Sequence, residues 1–185
     1  MYSKIEEAIY FVVKAYKGQR IKLENIDKCY HPIVVGHTIK DITNVDDVTV
    51  AAFLHDVIID TEYGYEEIEL KFGTLVADIV QDLSEDMSIS KWLDRKKDYV
   101  KRLKSNFDIN VINIAIADKT HELIILYDLF KKQGDKVWKN TSGTKEENCW
   151  LYREIYKIGK NNKANSKLLK RYKDLLVLYF GEDDE

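Results

Sequence analysis

Residues 51–61 read AAFLHDVIIDT. Val48, Ala51, Ala52, His55 and Ile59 recur at helical spacing, so one stripe of a helix starting near Asp46 or Asp47 is predicted to carry them. The run VAAFLHD at 50–56 is apolar enough to be buried, and neither an imidazole nor a carboxylate is cheap to bury without a partner. Working outward from this stretch, helix signals recur to both ends of the chain. Ser3 and Glu6 have capping-box spacing ahead of Ile5, Ala8, Ile9, Val12 and Tyr16, and Gly18 can end that helix. Pro32 suits the first turn of a second helix, where its missing N–H costs nothing. A short helix from about Tyr65 ends at Gly73, another runs through Leu75, Ile79 and Leu83, and Ser88 or Ser90 is placed to cap a charged helix with Trp92, Tyr99, Val100 and Leu103 on its apolar side. Ile33–Val35 and Val57–Ile59 have strand propensity, but their neighbours favour helix.

From Asp108 to Lys131 apolar residues lie on nearly every side, the pattern of a helix at the buried centre of its domain. Asp118, Lys119, His121 and Glu122 nevertheless sit in its middle. A loop is predicted from Gly134 to Gly143, then helices over about Thr144–Gly159 and Asn162–Phe180, with Trp138 and Trp150 packing them down and the acidic tail after Gly181 frayed. The fold expected is all-α, one domain over 1–185 with a core at about 5–130 and C-terminal helices at about 143–180.

Composition agrees. Among 185 residues there are 8 glycines and one proline, too few turn formers for an all-β chain. Hydrophobic residues make up 45% and charged residues 33%, enough for a core under a solvated surface. A formal net charge of −3 argues against a generic nucleic-acid binder. Two cysteines without a CxxC pair provide no disulfide framework and no thiolate zinc site. Glu6 and Glu7 interrupt the N-terminal apolar stretch, so it does not read as a signal peptide, and no run of 18 apolar residues exists to span a membrane. The expectation is a cytoplasmic protein with neither nucleic-acid nor membrane partners.

Four residues stand out chemically. His31 lies just before Pro32, His55 and Asp56 are adjacent, and Asp118 sits in the most apolar helix, with no cation at helical spacing from either carboxylate. Singly, each fits a hydrogen-bonded core histidine or a capping aspartate. Together they fit a site for a divalent ion that prefers nitrogen and oxygen donors, such as Mn, Fe, Zn, Co or Mg. His37, one turn past His31, reads as structural, and Cys29 and Cys149 as inert.

These residues, in order, match the H…HD…D pattern of HD-domain phosphohydrolases. GQR at 18–20, HPIVVG at 31–36, AAFLHDVIIDT at 51–61, FGTLVADIV at 72–80 and IAIADKTHEL at 114–123 make the chain resemble one branch, the hydrolase domain of Rel/SpoT-type enzymes and the small alarmone hydrolases, from about Ala8 to Leu129. The resemblance implies that His31, His55, Asp56 and Asp118 are the metal ligands, that the metal is manganese, and that the substrate is a small nucleotide, guanosine tetra- or pentaphosphate, losing its 3′-pyrophosphate. The family has a Glu–Asp pair after the HD helix. Here Asp60 keeps the second acid, Ile59 replaces the first, and Glu62 is the candidate to fill in from the loop. Arg20 and Lys22 stand nearest to the family's nucleotide-contacting basic residues. Lys119 matches a basic residue beside the metal aspartate, and His121–Glu122 falls where the family has His–Asn or Tyr–Asn.

Asp60 is then expected to position or deprotonate the attacking water, or to protonate the leaving oxygen. Three readings stand. The first is hydrolysis of guanosine 3′,5′-polyphosphates. The second is a site retargeted by Ile59 and Glu122 to another phosphorylated nucleotide. The third is a metal- or nucleotide-binding regulator with little turnover. From these 185 residues no second, synthetase-like domain is expected.

Overall fold

The structure, a computed structural model, describes residues 2–21, 26–139 and 141–182. The chain divides into two compact units, Met1–Ser84 and Glu85–Glu185.

The first unit holds α1 (Lys4–Ala15), a two-stranded antiparallel pair β1 (Arg20–Ile21) and β2 (Ile26–Asp27), α2 (Tyr30–Lys40), α3 (Asp46–Leu54), α4 (Val57–Asp60), α5 (Tyr65–Phe72) and α6 (Thr74–Leu83). The capping box at Ser3 and Glu6 is present, with each side chain bonded to the other's backbone N–H. Pro32 lies in the first turn of α2 as expected. α3 is the hub, with α1, α2 and α6 packed on it. Every residue from Val48 to Leu54 is buried, which makes it a core helix rather than one with a single apolar stripe. α2 approaches α3 closely because residue 36 is glycine. A Cβ there would lie 2.3 Å from the ring of Phe53.

The predicted stripe through Ile59 is not continuous. α3 stops at Leu54, His55 keeps helical angles, and Asp56 sits near φ −100°, ψ −2°, the bridge region common in turns and active sites. The chain then restarts as α4. The small β pair is an addition to the all-α expectation, too short to be read from an alternating pattern.

The second unit holds α7 (Trp92–Ser105), α8 (Ile109–Gln133), a 3₁₀ turn (Gly134–Lys139), α9 (Lys145–Asn161) and α10 (Ser166–Phe180). α9 and α10 pack on α8, and α7 on α9. α8 buries Val111, Ile112, Ile114, Ala115, Ile116, Leu123, Leu126 and Leu129, in line with its all-round apolar pattern. Thr144 and Glu147 form a second capping box at the start of α9. Trp138 packs its ring against Tyr179 and Phe180 of α10. Two details differ from expectation. Part of the predicted loop is the 3₁₀ turn. The residue before α7 is Lys91, which makes no side-chain cap, and Ser88 bonds Asp86 instead. The tail expectation for residues 183–185 lies outside the described residues.

Candidate metal centre

The break after α3 fixes the histidine. A helix C-terminus leaves its last carbonyls without N–H partners. His55 Nδ1 lies 2.9 Å from the carbonyl oxygen of Ala52, which can only accept, so Nδ1 carries the ring proton. His55 Nε2 is thereby left as a bare lone pair, in a side chain 2% exposed. It points at His31 Nε2, 3.2 Å away, and at Asp56 Oδ2, 3.2 Å away. His31 Nε2 lies 3.6 Å from the same carboxylate oxygen. The start of α2 supplies His31, and the turn after α3 supplies the other two residues.

Two nitrogens and one oxygen thus form a triangle with sides of 3.2, 3.2 and 3.6 Å. Donor atoms about 2.1 Å from a common ion, subtending about 90–110° at it, lie about 3.0–3.4 Å apart. The triangle has that size. A proton on His31 Nε2 would serve one of its two neighbours at a time, whereas a divalent cation serves all three donors at once. These residues fit a metal that accepts nitrogen and oxygen ligands, and sulfur takes no part.

Asp60, at the end of α4, has both oxygens engaged. Lys28 Nζ lies 2.6 Å from Oδ1 and the Tyr16 hydroxyl donates to Oδ2 at 3.2 Å. Gln19 Nε2 donates to the Asp60 backbone carbonyl at 3.1 Å. Burial pushes the Asp60 carboxyl above its ordinary range, the charge of Asp56 adds to this, and Lys28 and Tyr16 oppose it. Burial, with the charges of Asp56 and Asp60, raises Tyr16 strongly, so its phenol stays an O–H donor. Sequence reasoning missed both Tyr16 and Lys28. Tyr16 looked like one more apolar position of α1, and Lys28 was given no role.

Among the described residues, the other first-unit candidates are not drawn into this cluster. Glu62 is exposed beyond α4. Arg20 is on β1, about half exposed, 3.6 Å from Asp27 on β2. Lys22 lies outside the described residues. His37 is exposed and sets its ring edge-on to Phe53, in keeping with a structural role.

In the second unit the remaining candidates share the middle of α8. Asp118, Lys119 and His121 are buried there. Lys119 Nζ lies 2.9 Å from Asp118 Oδ2 and 2.8 Å from Glu122 Oε1. Asp118 has no cation at helical spacing, but the adjacent lysine folds back onto it. Glu122 Oε2 accepts from the Tyr152 hydroxyl of α9 at 3.2 Å. Burial, then the charge of Glu122, holds the Tyr152 phenol well above its usual range, so it too remains a donor.

A family model described as "HD domain" matches residues 8–143. The guanosine-3′,5′-bis(diphosphate) 3′-pyrophosphohydrolase MESH1 of Danio rerio is 36% identical over 120 residues, 63% of this chain and 66% of that protein. The guanosine-3′,5′-bis(diphosphate) 3′-pyrophosphohydrolase of Haemophilus influenzae is 32% identical over 116 residues, 60% of this chain. The match spans only 17% of that longer relative. A solved structure, described as a metazoan ortholog of SpoT that hydrolyzes ppGpp, superposes with a TM-score of 0.79 at 22% identity over 98% of both chains. At that identity the likeness establishes the fold.

Proposed function

We propose that this chain, which belongs to the HD domain family, is a metal-dependent phosphohydrolase that removes the 3′-pyrophosphate of guanosine 3′,5′-bis(diphosphate) and its pentaphosphate relative. The observation that carries the reading is the donor triangle of His31, His55 and Asp56, with the far nitrogen of His55 tied off on the Ala52 carbonyl. Relatives named as pyrophosphohydrolases of this nucleotide support the substrate class. From the H…HD…D pattern, Asp118 is assigned as the fourth ligand. The two units are read as one HD-type domain, because the family match runs through residues of both.

A divalent ion, manganese in this reading, supplies positive charge at phosphoryl oxygens and an acidified water. The chain's own groups do the rest. His31, His55 and Asp56 would hold the ion through the three donor atoms of the triangle. Asp60 takes the proton of the attacking water. Each of its oxygens keeps a lone pair beyond those used by Lys28 and Tyr16, and its raised carboxyl is closer to the working pH than an ordinary aspartate. Arg20, Lys22 and Lys119 are assigned to substrate phosphates, His121 to a donor role, and Glu122 to a ribose hydroxyl. Glu62, exposed on the loop, is kept as a second acid. The partner is a small nucleotide, not a nucleic acid or a membrane. Among the described residues no helix is long and apolar enough to cross one. The working compartment is taken as cytoplasmic.

Glu122 supports a second reading. Lys119 and Tyr152 hold both its oxygens, so its carboxylate is a fixed feature of the α8 surface. A fixed negative charge repels phosphates, which favours a nucleotide with fewer of them or with a hydroxyl at that place.

The test is bound-metal analysis of the purified chain, followed by release of pyrophosphate or phosphate from a panel of nucleotides with Mn²⁺ added. The proposal expects turnover of guanosine tetraphosphate that Asp56→Ala abolishes. Turnover of another nucleotide alone would select the second reading. Stoichiometric metal without turnover would make the chain a regulator, and failure to bind any divalent metal would overturn the site.

A further inference from the structure

Residues 155–173 carry six lysines and one arginine and no acidic residue, in a chain whose net charge is −3. This basic stretch forms the end of α9, the turn after it and the first half of α10. Tyr156 lies against Tyr172 and Tyr152 against Phe180, so the two helices run antiparallel. Residues of both line a cavity of about 520 Å³. Sites that take small molecules span about 300–1,000 Å³. None of the lining residues belongs to the candidate metal centre.

The cavity is graded along its length. Lys160 and Asn161 line it at the end nearest the turn, with Lys157 about one turn back on α9 and Lys173 on α10. Lys160 and Lys173 are exposed, and among the described residues neither has an acidic partner. Lys157 lies 3.7 Å from one oxygen of Glu154, whose other oxygen meets Lys104 at 2.5 Å. Tyr156 and Val177 form the middle of the wall. The Tyr156 ring lies 6.3 Å from that of Tyr172 at an angle of 24°. Tyr172 is fully buried and its hydroxyl donates to the Tyr152 carbonyl, so Tyr156 rests on a fixed base. Glu182 lines the far end, beyond α10, where Arg153 donates to the main-chain carbonyls of Gly181 and Glu182.

Cations at one end, a ring and an aliphatic side chain in the middle and a carboxylate at the other end match the polarity of a nucleoside phosphate. Phosphate oxygens take ammonium donors, a base stacks on an aromatic ring, and a carboxylate accepts from base N–H and ribose O–H groups. A bare inorganic anion would use the lysines alone, and Glu182 would repel it. We propose that this groove of α9 and α10 binds a nucleoside diphosphate or triphosphate. Lys157, Lys160 and Lys173 meet the phosphates, Tyr156 packs on the nucleoside, and Glu182 accepts from its donors. The groove needs no metal and stands independently of the hydrolase reading.

Isothermal titration calorimetry of the full chain in EDTA tests it, with guanosine 5′-diphosphate, inorganic pyrophosphate and guanosine as probes. EDTA removes any binding that needs a metal. Wild type is expected to bind the diphosphate more tightly than pyrophosphate or guanosine, with an affinity that falls as salt is raised. The double variant Lys160→Ala/Lys173→Ala removes two exposed charged contacts. It should weaken binding of the diphosphate about tenfold and keep wild-type turnover of guanosine tetraphosphate with Mn²⁺. Tyr156→Leu should bring the diphosphate toward the affinity of pyrophosphate and leave pyrophosphate unmoved, and circular dichroism checks that each variant is folded.

No binding of the diphosphate by wild type at millimolar concentration would overturn the groove as a site. Binding unmoved by the lysine variant would place the nucleotide elsewhere on the chain and overturn it as well. Equal affinity for pyrophosphate and the diphosphate, unmoved by Tyr156→Leu, would overturn the nucleoside class. Loss of turnover together with binding in the lysine variant would make the groove part of the hydrolytic site and overturn its independence. A chain that binds the diphosphate as expected and hydrolyses nothing would overturn the hydrolase reading and keep the groove.

Discussion

At His55 one ring serves two ends. Its Nδ1–H satisfies the Ala52 carbonyl that the end of α3 leaves open, and that bond turns Nε2 toward His31 and Asp56. The same economy operates at Gly36, which lets α2 lie close enough to α3 for two histidines 24 positions apart to meet. A methyl at position 36 would fall 2.3 Å from a phenyl ring with no exposed surface, so the ring cannot swing away. Overpacking of this kind costs about 1–3 kcal/mol, more than the roughly 0.8–1.0 kcal/mol that alanine gains over glycine in a helix. Gly36→Ala is therefore expected to lower stability in urea unfolding and to weaken divalent-metal affinity by spreading the Nε2 atoms. A variant with unchanged metal affinity would show that the spacing is set elsewhere.

Among the elements, the interruption between α3 and α4 bears directly on the site, since the turn at Asp56 redirects the chain into α4 and so sets where Asp60 stands. In the second unit the start of α7 is secured by charge. Glu85 accepts from Arg95 at 3.0 Å and pairs with Lys96, all three side chains being less than one-fifth exposed. Burial disfavours the Glu85 anion, but the ammonium groups of Lys96 and Lys119, with the Lys96 and Arg95 hydrogen bonds, outweigh it and hold the carboxyl below its ordinary range. A folded pKa below the unfolded value of about 4.3 adds stability at neutral pH that is lost as pH falls through the folded value. Glu85→Gln should cost about 3 kcal/mol near pH 7, by leaving buried cations without their anion. Its disadvantage should shrink in acid, and thermal melts from pH 7 down to pH 3 would reveal it. A constant difference across that range would mean that shape, not charge, is what glutamate provides.

For the whole molecule the expected signature is linkage to metal. An ion that binds the folded chain at about 100 times its Kd adds about 2.7 kcal/mol, which for a chain of this size raises Tm by about 5–10 °C. Mn²⁺ should give that rise, EDTA should reverse it, and His55→Ala should show neither. A Tm insensitive to every divalent ion would remove the metal centre. Much of this protein is local and so could be read from the sequence. Helical periodicity, the capping boxes at Ser3 and Thr144, Pro32 in a first turn and the apolar α8 are set by neighbours within a few residues. That His31, His55 and Asp56 come together was also legible, because imidazoles and carboxylates are rare in an apolar setting. The tautomer of His55 is set three positions away, but the approach of His31 to His55 and the hold of Lys28 and Tyr16 on Asp60 depend on residues 24 to 44 positions apart. No periodicity encodes such distances. They are decided when α2 and the end of α1 are packed against α3 and α4, and only there does a tyrosine of the first helix become part of the surroundings of an acid.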